Sequence, residues 1–76
     1  MQDDKIFSVA LIETLKRERK ERGLSHEKLA KLAGLSRQAI GVIESGKINP
    51  TMQTVYKLVT AMDMKLDDFV KRMKIG

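Results

Sequence analysis

Two helix starts stand eleven residues apart in this chain, and each is written in the same local code. In Leu24-Ser25-His26-Glu27-Lys28-Leu29 and in Leu35-Ser36-Arg37-Gln38-Ala39-Ile40, a serine is placed to accept from a free backbone amide. The apolar residues one before and four after it form a hydrophobic staple. Neither copy has the glutamate or glutamine of a full capping box, because Lys28 and Ala39 occupy that position. A repeat this short leaves room only for two short helices joined by a tight turn, with Gly34 able to take the positive φ such a turn demands.

The flanks continue in the same idiom. Phe7, Ala10, Leu11, Ile12 and Leu15 keep helical spacing and predict a first helix from about Asp4 to Arg22, stopped at Gly23. Pro50-Thr51 opens a fourth helix carrying Met52, Val55, Leu58, Val59 and Met62, and Leu66, Phe69, Val70 and Met73 mark a fifth. With strand signals nearly absent, the expectation is an all-α, compact five-helix bundle. A chain of 76 residues can bury only about 60% of its unfolded surface, so a single domain over residues 1–76 is expected. The core should span about residues 8–73.

Composition removes several chemistries. The absence of cysteine excludes disulfides, thiolate metal sites and cysteine nucleophiles, and a single histidine excludes a multi-histidine zinc site. No serine–histidine–acid set is implied by spacing, so no catalytic residues and no enzyme are expected. The methionines and aromatics sit at helical spacing and are expected to be core or dimer contacts, which suggests no cofactor. The longest apolar run, Val9-Ala10-Leu11-Ile12, is far below the ~20 residues that span a bilayer, and the acidic start is unlike a signal peptide. These features predict a soluble, cytoplasmic chain with no membrane partner, and they point to no small-molecule ligand.

Charge is unevenly placed. Residues 1–15 carry a net −2, residues 16–50 a net +5 and residues 51–76 a net +2. A polyanionic partner suits the basic middle. The run Lys16-Arg17-Glu18-Arg19-Lys20-Glu21-Arg22 also reads as a solvated helix face, since many opposite charges lie three or four residues apart. On a helical wheel, Ala39, Ile40, Ile43 and Glu44 share one side of the second short helix, while Arg37, Gln38, Gly41, Val42 and Ser45 share the other. The second side has what a major groove requires: arginine pairs with guanine, glutamine with adenine, and valine meets a thymine methyl.

The segment LSHEKLAKLAGLSRQAIGVIESGKINP, Leu24 to Pro50, resembles the helix-turn-helix of the phage Cro and repressor (XRE-like, Cro/C1-type) regulators. Ala30, Gly34 and Ile40 match the family's alanine, glycine and branched residue, and the flanking helices extend the resemblance over about residues 8–73. The helix-turn-helix itself covers about 25–45. The resemblance implies a lambda-repressor-like domain, a homodimer that binds operator DNA and regulates transcription, most often as a repressor. It implies base contacts from Arg37, Gln38 and Val42. It implies backbone contacts from Ser25 and His26 at the start of one helix, from Ser36 at the start of the next, and from Ser45, Lys47 and Asn49 after it. Arg19 and Glu44 match a structural ion pair between the first helix and the end of the recognition helix. Dimer contacts are expected from Phe69, Val70, Met73 and Ile75, with Ile6 and Phe7 as the second choice.

Three positions depart from the family pattern: Gly41 inside the recognition helix, Glu18 where leucine is common, and Lys65 where a capping serine is common. A reading in another class is an antitoxin-like or accessory protein-interaction module on the same fold. Such a chain would usually carry an added partner-binding segment, and only about seven residues at the start and three at the end lie outside the expected five-helix core.

Overall fold

Each of the three central helices begins at a hydroxyl that closes its first turn. In the computed structural model, which describes residues 3–74, the chain forms α1 (Asp3–Glu21), α2 (His26–Ala33), α3 (Arg37–Ser45), α4 (Met52–Ala61) and α5 (Leu66–Arg72). No strand occurs among the described residues. Ser25, Ser36 and Thr51 accept from the amides of Lys28, Ala39 and Thr54 at 3.0, 3.1 and 3.1 Å. Each bond satisfies one of the amides a helix start leaves open. Lys65 makes no side-chain cap, and Asp67 and Asp68 face the positive end of α5 instead.

The turn between α2 and α3 is closed by Gly34 at φ 72°, followed by the Leu35 amide donating to the Ala30 carbonyl at 2.8 Å. A side chain at that φ would meet its own backbone, so glycine sets the angle between the two helices. The same closure at the end of α4 is made by Asp63 at φ 60°, with the Met64 amide reaching the Val59 carbonyl at 3.1 Å.

The apolar core draws on all five helices: Leu11 and Leu15, Leu29 and Ala30, Ile40 and Ile43, Val55, Leu58, Val59 and Met62, and Phe69 with Met73. Helix α2 packs on α3 and α4, α1 on α3, and α5 on α4. Several apolar residues stay outside this core. Of the aromatics and methionines expected at core or dimer contacts, Phe69, Met62 and Met73 lie in the core, whereas Phe7, Met52 and Tyr56 are exposed and do not. Two of the expected dimer contacts turn inward: Phe69 is fully buried and Met73 nearly so, because both belong to the one apolar core that α5 shares with α4 and α1. Val70 is half exposed, and Ile75 lies outside the described residues.

Glu18 accounts for its own departure from a leucine. Its side chain is 2% exposed, and its Oε1 accepts from Arg22 Nη1 at 2.7 Å and from Arg72 Nη1 at 3.0 Å. Two further arginine contacts reach other helix ends. Arg22 Nε donates to the Met62 carbonyl at 2.9 Å, and Arg17 Nη2 donates to the Arg72 carbonyl at 3.0 Å. Cations at these C-terminal carbonyls satisfy acceptors that the helices leave open and oppose the negative ends of their dipoles. Much of the basic run of α1 therefore serves the fold. Arg17, Arg19 and Arg22 are all bonded within the domain.

Burial alone raises the Glu18 carboxyl, but the hydrogen bond from Arg22 and the charges of Arg72, Arg22 and Arg17 bring it below its ordinary value near 4.5. A carboxyl lowered in the folded state contributes stability that is complete above the unfolded value and is lost as pH falls through the folded one. Thermal melts should therefore be flat above about pH 5 and decline below about 4.5. Glu18→Gln should cost about 1–2 kcal/mol at pH 7 and show a shallower acid decline than the parent chain. Equal acid slopes would show that Glu18 is not the responsible group.

Candidate nucleic-acid interface

Helix α3 is held from behind and bare in front. Ile40 and Ile43 are buried, Ala39 is half-buried, and Glu44 is turned inward with its side chain 7% exposed. Arg37, Gln38, Val42 and Ser45 are exposed on the opposite side, with Gly41 between them. A Cβ placed on Gly41 would meet nothing within 4 Å. The outward face is thus a guanidinium and an amide in the first turn, then a gap and a branched methyl surface one turn later. Donors and methyls in that order are what base edges in a major groove can be read by.

The back of α3 is pinned by charge. Arg19 Nε lies 2.7 Å from Glu44 Oε2 and Arg19 Nη2 lies 3.0 Å from Oε1, a bidentate pair. Arg19 Nη1 also donates to the Leu24 carbonyl at 2.7 Å. His26 Nε2 completes the group, 3.0 Å from Glu44 Oε1. One carboxylate thereby joins the end of α1, the start of α2 and the end of α3. Burial raises the Glu44 carboxyl, yet hydrogen bonds from Arg19 and His26, with their charges, hold it below the usual carboxylate value.

The other residues singled out from the sequence fall into distinct places. Arg37 stands beside Ser25, His26 and Glu27 around a shallow depression of about 350 Å³, which brings the starts of α2 and α3 together. Ser25 and Ser36 use their oxygens as acceptors for helix caps, which leaves each hydroxyl proton free to donate outward. Ser45 differs: its Oγ donates to the Val42 carbonyl at 2.7 Å and accepts from the Lys47 amide at 3.3 Å, so its proton is already committed. The resemblance assigns His26 to the DNA backbone, but its Nε2 faces Glu44, leaving only Nδ1 for an outside partner. Lys47 and Asn49 are exposed in the turn after α3. Lys28 and Lys31 are exposed on α2. Sequence reasoning missed the histidine's place in the charge cluster, and the i, i+18 separation of His26 and Glu44 leaves no local signal for it. Among the described residues, no group of acidic, histidine or cysteine side chains could hold a metal ion, and no helix is long and apolar enough to cross a membrane.

A family model described as helix-turn-helix matches residues 15–69. The chain is similar to the HTH-type transcriptional regulator SutR of Escherichia coli, 35% identical over 57 residues that cover 75% of this chain and 32% of the relative. It is 37% identical over 51 residues to the HTH-type transcriptional regulator PuuR of Escherichia coli, covering 67% of this chain and 28% of the relative. A third similarity is to an HTH-type transcriptional regulator of Haemophilus influenzae, 35% identical over 66 residues, 87% of this chain and 67% of the relative. The chain spans about a third of the length of the first two of these relatives.

Because Arg19 and Glu44 are both nearly buried, removing either alone strands a charge. Arg19→Met and Glu44→Leu should each cost about 3–5 kcal/mol in urea unfolding, while the double substitution should cost less than their sum by about 2 kcal/mol or more. Strict additivity would mean that the two side chains do not act on one another.

Proposed function

Given that the chain belongs to the XRE-type helix-turn-helix family of DNA-binding transcriptional regulators, we propose that it binds a palindromic operator as a homodimer and represses transcription from it. The observation that carries this reading is the outward face of α3, where Arg37, Gln38 and Val42 stand exposed on a helix whose other side is fixed to the core. In this reading Arg37 makes two parallel hydrogen bonds to guanine O6 and N7, Gln38 pairs with adenine N6 and N7, and Val42 packs on a thymine methyl. The starts of α2 and α3 grip phosphate through the Ser25 and Ser36 hydroxyls, while His26 Nε2 is turned to the Glu44 carboxylate. Lys47 and Asn49 hold the strand on the far side of the groove.

A dimer follows from affinity. One module contacts few bases, and phosphate contacts alone give only about 10⁻⁴ to 10⁻⁶ M at physiological salt. Two copies on half-sites about one helical turn apart double the readout. With dimerisation coupled to DNA binding, operator occupancy rises steeply with protein concentration, a response suited to a regulator of its own promoter.

Selection of bound sequences from random duplex DNA at about 150 mM salt tests the reading, because weak electrostatic binding is suppressed there. An enriched palindrome is expected. Folded protein that enriches nothing would favour the protein-interaction module instead. On the selected site, Arg37→Ala should cost about 1–3 kcal/mol and relax one base position, whereas Lys47→Ala should weaken all sequences alike and reduce the salt slope by about one. Gly41 provides an independent check. Gly41→Ala should stabilise the free domain by about 0.5–1 kcal/mol, since its methyl meets nothing, and should weaken operator binding, since it fills the gap through which the α3 backbone approaches the bases.

A further inference from the structure

Half of α1 carries an apolar stripe that its own domain leaves uncovered. Ile6 and Val9 are 46% and 50% exposed, and Ile12 is half-buried beside them. At helical spacing Ile6 and Val9 lie on the side opposite Leu11, which faces the core, and Ile12 borders them at the edge of that side. The stripe forms a ridge with a groove along each flank. One groove, of about 510 Å³, lies against Ser45 and Gly46 at the end of α3. The other, of about 330 Å³, lies against Lys74. A ridge between grooves is the geometry by which one helix seats on another.

The stripe is also its own complement when reversed. Count outward from Val9: three residues away lie Ile6 on one side and Ile12 on the other, and four away lie Lys5 and Glu13. In an antiparallel pair crossing at Val9, Ile6 of each copy stands level with Ile12 of the other, and Lys5 stands level with Glu13, twice over. A polyanion or a lipid surface would meet Glu13 and Glu21 as well as Lys5, Lys16 and Lys20, and gains nothing from the symmetry about Val9. A second copy does.

We propose that two copies of this chain pair through this face, α1 against α1, antiparallel and crossing at Val9. The assignment rests on the homodimer reading above and moves the interface away from α5, whose Phe69 and Met73 are committed to the core. It leaves the reading face clear, because Arg37, Gln38 and Val42 line neither groove. It also sets the seam beside the turn that follows α3, since Ser45, Gly46 and Asn49 border the same stripe. Both recognition helices are then tied to the seam at their C-terminal ends. A single short stripe per copy makes a small interface, of the kind that associates weakly in solution.

Charge exchange tests the pairing without touching the core. By sedimentation equilibrium, Lys5→Glu alone and Glu13→Lys alone should each weaken self-association about tenfold, because each sets two like pairs level across the seam. An equimolar mixture of the two variants should recover the parent affinity, since a pair made of one copy of each again sets an acid level with a base at both places. Val9→Lys should weaken association at least as much, with circular dichroism confirming that the helices persist. A mixture no tighter than the single variants, a dimer indifferent to Val9→Lys, or a chain that stays monomeric to about 1 mM would overturn the proposal. So would a monomer that partitions onto anionic vesicles through Val9. The DNA selection reads the other claim separately. An enriched palindrome with an intact dimer in Val9→Lys sinks only this interface, and an α1 dimer that enriches no sequence sinks only the DNA reading.

Discussion

The position of the recognition helix depends on one buried carboxylate. Helix α3 has nine residues, too few to be stable alone in water, so its orientation comes from what grips its inner side. Ile40 and Ile43 supply the apolar grip, which is non-directional, and Glu44 supplies the directional one. Two parallel bonds from Arg19 fix the carboxylate plane, and the third Arg19 bond, to the Leu24 carbonyl, fixes the guanidinium against the loop that precedes α2. A bidentate pair specifies angle as well as distance. Apolar packing could be satisfied by several rotations of so short a helix; this pair admits few of them.

Glu18 does for the far end of the domain what Glu44 does for the near end. It anchors Arg22 and Arg72, and α1 arginines in turn close the C-terminal ends of α4 and α5. Helix α5 has only seven residues, and its first turn lacks a side-chain cap, so Phe69 and these arginine contacts secure it. The two clusters share α1 as their backbone. Consequently the net charge of the middle segment overstates what is offered to a polyanion. Part of it is absorbed in holding helices together, and the cations left outside are Lys16 and Lys20 on α1, Lys28 and Lys31 on α2, Arg37 on α3 and Lys47 in the turn beyond it.

What could be read in advance follows from the range of each interaction. Caps and the αL turn at Gly34 are written within four or five residues, so the starts of α2, α3 and α4 and the two faces of α3 were legible directly. Contacts between distant segments were not. Glu18 departs from the family's leucine, and although Arg22 lies four residues on, its other partner Arg72 is 54 residues away; His26 has its partner Glu44 18 residues away. Asp63 carries no such local signal, because its left-handed backbone comes from the closing turn of α4, where glycine is the usual residue. For α5, the period of Phe69, Val70 and Met73 was legible, but which side meets the core depends on where α4 lies. The exposed Phe7, Tyr56 and Met52 show the same gap, since apolar spacing identifies a helix without saying which of its apolar residues a neighbour will cover.

Separating the grip from the readout has a further consequence for α3. Its inner residues answer to the core and to Arg19, so they are bound by volume and charge. Its outer residues touch little else in the domain. Ile40 or Glu44 cannot change without moving the helix, whereas the exposed Arg37, Gln38 and Val42 can change with the scaffold left in place, and in the proposed reading such changes alter only the sequence preference. Gly41 belongs to the outer set and is its most costly member for the fold, because a mid-helix glycine weakens a segment already too short to stand alone. A helix with buried apolar residues and an ion pair behind it can absorb that loss, and the gap it opens lies where the backbone would come nearest to DNA. The rigidity supplied by Glu44 is what permits the outer face of α3 to carry a flaw in helix propensity at its centre.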